Sequence, residues 1–475
     1  MNAGINLAEK IDSDIFRLIG RTADKLGQEA YIVGGYVRDL LLGRQSPDVD
    51  FVTVGSGITL AKAVAKELGH KHRLTVYATY GTAQIKHHGL ELEFVGARRE
   101  SYRRESRNPI VEDGTLEDDQ LRRDFTVNAL AICINEARFG ELMDPFDGLA
   151  DMKARTLRTP CDPDITFSDD PLRMMRAIRF ACQLQFRILP ETFEAIRRNA
   201  DRIEIITKER INDELTKILR SPRPSVGFRL LDMAGLLVHI LPELAALKGI
   251  ETKDGQGHKD NFLHTLQVVD NIAAVSDDVW LRWAALLHDI GKPATKKFEP
   301  GVGWTFKNHN YIGEKMIPRL FRKMKLPQND RMKYVAKLVG MHMRPQSVGE
   351  DGVTDSGVRR MITEAGPDID DLMLLAEADI TSKNPAKVRR FLENFQLLRQ
   401  RVDEVNAKDD YRNWKNPVSG NELMEIFSIP PSRPVGILLQ EVKDAIMNCE
   451  IENNHDEALA YAIRKGEEMG LTPYQ

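Results

Sequence analysis

The amino-acid sequence predicts an α+β protein, in which an N-terminal unit of short strands and helices is followed by a long run of helices. Two patterns carry this expectation. Strand-like runs are confined to roughly residues 30–145, where "AYIVGG", "DVDFVTVG", "YGTAQIKHH" and "LELEFVGAR" are short, apolar or alternating, and bounded by turn residues. From about Pro163 onward, apolar residues recur at three- and four-residue spacing, as in "PLRMMRAIRFACQL", "ETFEAIRRNA" and "KERINDELTKILRS". A chain of 475 residues with 42% hydrophobic content can bury several cores, about three or four at roughly 100–200 residues each.

In chain order, an amphipathic helix over about 8–27 leads into the strand ending at Gly34-Gly35. A helix through Leu42, the strand "DVDFVTVG" and a helix near 57–69 follow, then two further strands. Seams are expected near Pro160–Asp164, Lys248–His258 and Lys383–Lys387, which divides the chain into 1–155, 156–245, 246–385 and 386–475. No repeat or low-complexity linker interrupts it.

Composition narrows the class. Residues 1–16 lack a basic region followed by an apolar run, and no stretch approaches ~18 consecutive apolar residues, so a cytoplasmic protein without a membrane span is expected. The four cysteines lack CxxC or CxxH spacing and read as buried thiols, neither a disulfide framework nor a zinc site. A net charge of −4 does not itself point to nucleic acid, but arginines crowd 98–107 and 173–229, giving local basic faces or solvated, ion-paired helix faces.

The most chemical stretch is "YIVGGYVRDLLLGRQSPDVDF". Residues i and i+2 of a strand share a face, so Asp48 and Asp50 project together and repel unless a cation lies between them. Mg²⁺ suits that place, taking one or two carboxylates and filling its other positions with phosphate oxygens and water. Gly34 and Gly35, at a strand-to-helix junction, let an anion approach the backbone. The competing reading of "SPD" is a turn. A third carboxylate is needed to help activate an attacking hydroxyl; Glu93, on the face opposite Leu92 and Phe94, is the candidate, against plain solvent exposure.

GGYVRDLLLGRQSPDVDF, followed by LRRDFTVNALAI, DPFDGLADMKARTLRT and DDPLRMMRAIRFA, resembles the class II tRNA nucleotidyltransferases, the CCA-adding enzymes, and their bacterial poly(A) polymerase relatives over about residues 28–225. The resemblance implies a small mixed-sheet nucleotidyltransferase head, then helical neck, body and tail segments. It implies that Gly34, Gly35 and Arg38 cradle a triphosphate while Asp48 and Asp50 bind Mg²⁺. Arg122, Arg123 and Asp124 look like the ribose-sensing motif, and Asp144, Gly148 and Asp151 match a hinge. Read without the family, Arg123-Asp124 is a loop-closing salt bridge and the hinge residues are a turn. The implied partners are tRNA, ATP and CTP. Segment 98–107 corresponds to the family's flexible loop.

Asp170 and Arg173, three residues apart on a helix, suggest how C and A are chosen. Cytosine and adenine each present an amino donor beside a ring-nitrogen acceptor, whereas uracil and guanine present a carbonyl beside an N–H. A carboxylate beside a guanidinium therefore pairs with C or A, at a penalty of order 1–3 kcal/mol per unpaired buried group against U or G. The competing reading makes Asp170 the helix N-cap with Pro171 after it. Asp169 stands where the family motif has glutamate.

A second constellation runs His264, His288-Asp289, His309, His342 and Asp379, in the order of the HD metal-dependent phosphohydrolases, which it resembles. Such ligands hold one or two divalent transition metals, Ni, Mn, Co or Fe, with water between them. Two outcomes stay open: a phosphohydrolase or a metal-bound structural body. For the whole chain the leading expectation is CCA addition to tRNA. Poly(A) polymerase or A-only addition is the near rival; the chain lacks an "RRFR"-like segment after Asp50 and a basic tail, which favours CCA addition. An HD phosphohydrolase with a nucleotide-binding head is the alternative of another class.

Overall fold

In the computed structural model, which describes residues 5–69, 73–103, 106–253, 256–257, 259–350, 354–381, 385–408 and 411–473, the chain divides into two units, Met1–Pro242 and Glu243–Gln475. The expected seam residues His258 and Lys383 lie outside the described residues.

The first unit is organised by strands β1 (Ala30–Val33), β2 (Asp48–Thr53), β3 (Leu74–Tyr77), β4 (Thr82–His87), β5 (Leu90–Gly96), β6 (Arg98–Arg103), β7 (Ser106–Asp113), β8 (Ala131–Cys133) and β9 (Leu142–Met143). Seven form one sheet in the order β3-β4-β5-β2-β1-β8-β9. It is mixed: β2 runs parallel to β5 and antiparallel to β1. Alternation decides its faces. Val49, Phe51, Leu92 and Phe94 are buried on one side, where Phe51 stacks on Phe94 with ring centroids 5.1 Å apart. The helices Asp14–Lys25 and Gly57–Leu68 cover that side, Phe16 meeting Phe51 edge-on and Leu60, Ala61 and Val64 turning inward. On the other side Tyr31, Val33, Val52, Ala131 and Cys133 pack with Leu116. The remainder of that face carries the acidic residues.

The carboxy-terminal part of this unit is helical. Leu172–Leu184 buries Met174, Met175, Ala177, Ile178 and Phe180, and packs against Lys208–Leu219 and Pro224–Met233.

In the second unit the helices Asn261–Ala273, Val279–Leu287, His309–Lys323, Asp330–Met341 and Ile369–Ala378 pack against one another, and Trp283 of the second of them is fully buried. The helices Gly420–Ile426, Arg433–Met447 and His455–Glu468 close a separate core of Leu423, Leu438, Val442, Ala458 and Ala462. Among the described residues no helix is long and apolar enough to cross a membrane.

Four expectations are corrected. The helix over 8–27 is two helices, Ala8–Ile11 and Asp14–Lys25, because Ser13 turns extended and its hydroxyl accepts from Phe16 N–H. Within segment 98–107, Arg98–Arg103 is strand β6, paired with β7, where a loop was expected; Arg104 and Glu105 lie outside the described residues. Strand is not confined to 30–145: Lys297–Glu299 pairs with Gly303–Thr305, where Gly301 and Gly303 supply positive φ and Phe298 meets Trp304 across the strands. Of the thiols, Cys133 and Cys182 are buried, but Cys161 is half-buried and Cys449 exposed.

Candidate active site and metal centre

β2 is a strand rather than a turn, and its register builds the acidic row. Asp48 lies opposite Glu91 and Asp50 opposite Glu93 on β5. Burial and the neighbouring Asp48 charge push the Asp50 carboxyl up, Arg123 opposing. Glu93 stays open to solvent, yet the surrounding protein and then Asp50 push its carboxyl up too, against the pull of Arg98. Two carboxylates of one site held in this like-charge field, with only hard oxygen donors, fit a hard divalent cation whose other positions take phosphate oxygens and water.

These residues line a cavity of about 570 Å³ that also takes in Gly34, Gly35, Arg38, Arg122, Arg123, Asp124, Asp170 and Arg173. The three segments β1–β2, 122–124 and 170–173 therefore meet in one place. Gly34 has φ +75°, and a Cβ there would stand 2.9 Å from Arg123 Nη1 and 3.4 Å from Asp50 Oδ2; the missing side chain keeps the space between guanidinium and carboxylate open. The Gly34 N–H itself is engaged by the Leu130 carbonyl at 3.4 Å.

Several residues that order this cavity escaped the sequence reading. Asp119, wholly buried, binds both Arg122 and Arg123, the latter at 2.9 Å. Its i,i+3 and i,i+4 spacing to them was the available signal. Arg123 thus does not pair with Asp124. Instead Asp124 accepts from Phe125 N–H, from Asn128 Nδ2 at 2.9 Å and from Arg176 Nε at 2.7 Å. Burial alone would raise it, but Arg176 and Asn128 prevail and hold it at about 2. Asn128 Oδ1 in turn accepts from Arg38 Nη1 at 2.8 Å, and Arg38 pairs with Asp39. Phe180 sits beneath Arg38 at 4.9 Å and Arg179 at 4.1 Å, while Arg179 pairs with the buried Glu214 at 2.6 Å. One network thereby fixes three elements distant in sequence.

Asp170 ends the helix Pro163–Asp169, and its Oδ1 accepts from Leu172 N–H at 3.2 Å, so the capping reading is realised in part. It still lines the cavity with Arg173, whose guanidinium makes no hydrogen bond among the described residues. Asp144 accepts from Gly148 and Leu149 N–H at 2.6 and 2.9 Å, and Asp151 from Thr126 Oγ1 and Arg158 Nε at 2.6 and 3.0 Å. A Cβ on Gly148 would come within 2.5 Å of the Thr126 carbonyl oxygen. Asp144 thus caps the start of the helix Gly148–Ala154, and Asp151 within that helix ties it to Thr126 and Arg158.

In the second unit, ligand atoms of His264, His288 and Asp379 lie within 4.8 Å of one another, as do those of Asp289, His309 and His342. All six are gathered as the sequence order suggests. His264 Nε2 is 2.8 Å from Asp379, and His309 Nε2 is 3.3 Å from Asp289. The Nδ1 atoms of His288, His309 and His342 face the carbonyls of Ala285, Phe306 and Val339 at 2.8, 2.8 and 2.7 Å. A carbonyl only accepts, so Nδ1 carries a proton in each ring and each Nε2 faces the centre, where it can ligate once it is free of a proton; for His288, burial is outweighed by Asp289 and Asp379, which push the imidazole up to about 10. Burial also pushes His342 down to about 4, which keeps it neutral. His309 and His342 Nε2 are 3.2 Å apart, and the buried His288 Nε2 lies 3.3 Å from Asp289 and 3.5 Å from Asp379, in no well-formed hydrogen bond among the described residues. Facing lone pairs beside two carboxylates fit a divalent transition metal. Lys292, bonded to Asp289 at 2.5 Å, and Thr381, on His264 Nδ1 at 2.7 Å, join the centre without having been foreseen.

Comparison with known proteins agrees with this geometry. Residues 30–158 match the Poly A polymerase head domain, 185–248 the probable RNA and SrmB-binding site of polymerase A, and 261–383 the HD domain. The A-adding tRNA nucleotidyltransferase of Deinococcus radiodurans is 33% identical over 92% of this chain and 96% of its own. The Multifunctional CCA protein of Shewanella frigidimarina is 34% identical over 63% of this chain and 70% of its own. In fold, the Bacillus stearothermophilus CCA-adding enzyme, solved with CTP, superposes with a TM-score of 0.68 over 96% of this chain and 99% of its own, at 24% identity. The acidic row, the arginine-lined cavity and a relative matched along nearly both lengths together place this chain in the tRNA nucleotidyltransferase family, as a nucleotidyltransferase with a poly(A) polymerase-type head and an HD domain.

Proposed function

We propose that this nucleotidyltransferase adds C, C and A to the 3′ end of tRNA without a nucleic-acid template, using CTP and ATP. The observation that carries the proposal is the single cavity in which Asp48, Asp50 and Glu93 face Asp170 and Arg173. Asp48 and Asp50 are the residues to hold Mg²⁺, which when bound neutralises phosphate charge and lowers the cost of developing negative charge. Gly34, Gly35, Arg38, Arg122 and Arg123 take the triphosphate, and Asp124 holds their surroundings in place through Asn128 and Arg176. The primer 3′-oxygen forms a bond to the α-phosphorus, the bridge to the β-phosphate breaks, and pyrophosphate leaves. Glu93 accepts the hydroxyl proton; its raised pKa makes it a better base than an ordinary carboxylate. Asp170 and Arg173 read the amino and ring-nitrogen edge shared by C and A. Asp144, Gly148 and Asp151 serve as the hinge between additions, and the chain works as head 1–155, neck 156–245, HD segment 246–385 and tail 386–475.

The second centre, His264, His288, Asp289, His309, His342 and Asp379, is proposed to hold Ni, Mn, Co or Fe. Phosphatase and cyclic phosphodiesterase assays of the full chain with each ion decide its role; turnover makes it a phosphohydrolase, and no turnover with any ion makes it structural.

A second reading, addition of the terminal A alone, is favoured by one observation: the relative matched over 92% of this chain is named an A-adding enzyme. Incubating tRNA that lacks its 3′ end with each labelled NTP and Mg²⁺, then sequencing the products, separates the readings. C, C and A in order support the proposal; A added only to tRNA already ending in CC supports the second reading, and long A runs overturn both.

A further inference from the structure

The strand order gives the active-site face a direction. Cross-strand partners form one row from Asp50 through Glu93 and Gln84 to Thr75, and a neighbouring row from Val95 through Thr82 to Tyr77. On one flank of β2 stands β1, with Gly34 and the Arg123 guanidinium beside it; on the other stand β5, β4 and finally β3 at the sheet edge. In-line displacement puts the attacking hydroxyl opposite the leaving pyrophosphate. With the triphosphate on the arginine flank, the primer end must enter over β5, β4 and β3.

Tyr77 stands on that path. As the partner of Thr82, which lines the cavity, it shares the active-site face. The helix Gly57–Leu68 covers the opposite face, where Ala83 and Ile85 are buried. Tyr77 remains 45% exposed, and its ring meets no other aromatic ring among the described residues. Two strand spacings across the sheet and two residues along it separate it from Glu93, about 12 Å between backbones, a gap that a tyrosine side chain and one nucleoside together span.

We propose that Tyr77 is the stacking platform for the base at the 3′ end of the primer, a positioning residue that sets the terminal hydroxyl beside Glu93 without touching the reacting atoms. The chemistry of the substrate calls for such a surface. The terminal base changes as each nucleotide is added, so hydrogen-bonded reading of it would fail in some rounds, whereas stacking accepts any base. This inference rests on the nucleotidyl-transfer reading above.

The test uses the full chain, Tyr77→Ala and Tyr77→Phe, with CTP and tRNA lacking its 3′ end, and the same tRNA carrying 2-aminopurine as its last base. Tyr77→Ala is expected to raise KM for the primer roughly 5- to 150-fold, the range of one base–aromatic stack, and to leave KM for CTP unchanged. Tyr77→Phe keeps the wild-type values. Fluorescence of the terminal 2-aminopurine is quenched on binding wild type and Tyr77→Phe, and stays bright on Tyr77→Ala. An unchanged primer KM with equal quenching by Tyr77→Ala overturns the assignment. Absence of incorporation by wild type instead defeats the transfer reading, and the binding-only fluorescence then judges Tyr77 by itself.

Discussion

At the residue scale, proton affinity and charge pairing decide what the cavity does. Asp50 and Glu93 both have raised pKa values, so their ionised forms are lost at a higher pH than for ordinary carboxylates. Addition should fall on acidification from above the usual carboxylate range. Glu93→Gln should lower kcat about 100-fold or more and remove the Glu93 share of the acidic limb, leaving the part that Asp50 contributes. Asp124 has the opposite sign. Its folded value of about 2 lies below 3.8, so its contribution to stability is complete above pH 3.8 and lost as pH falls toward 2. That contribution is on the order of 2 kcal/mol, and urea midpoints measured against pH should show it in wild type but not in Asp124→Asn. Asp119→Ala removes the buried carboxylate that both Arg122 and Arg123 bind; KM for the nucleotide should rise, with little change in tRNA binding measured by titration.

At the scale of elements, Gly148 sets the tightest constraint. Gly148→Ala drives a methyl group into the Thr126 carbonyl, and thermal melting should register a loss of about 1–3 kcal/mol. If the turn is a hinge, the second and third additions should slow more than the first. The elements themselves were readable to different degrees. β2 and β5 announced themselves because apolar alternation left Asp48, Asp50 and Glu93 on one face, and the six metal-binding candidates kept a recognisable order. The Arg176–Asp124–Asn128–Arg38 chain did not, since its members come together only when the helix Leu172–Leu184 packs beside the loop 124–128. Nor did the hairpin at 297–305, where two three-residue strands carry too little periodicity to register. Asp119 lies within the acidic run "VEDGTLEDDQ", where one carboxylate looks like another, and only burial shows it to be the partner of two arginines.

At the scale of the whole molecule, two candidate sites occupy separate units of one chain, each with its own donor set. The head offers only carboxylate oxygens, suited to Mg²⁺, and the second unit offers imidazole and carboxylate, suited to a transition metal. Chelation should therefore act on them differently. With the proposed metal bound in the second unit, stripping it should leave Asp289 and the histidines buried without a cation, and the melting temperature should fall and recover on adding Mn²⁺ or Ni²⁺. His288→Ala should be insensitive to both treatments while nucleotide addition persists. The claim that transfer belongs to the head cavity is tested most directly by single-turnover addition to tRNA lacking its 3′ end, with CTP, ATP and Mg²⁺, comparing wild type with Asp50→Ala at matched tRNA occupancy. Wild type should extend the tRNA and Asp50→Ala should bind it without extending it; extension by Asp50→Ala at the wild-type rate would contradict the assignment.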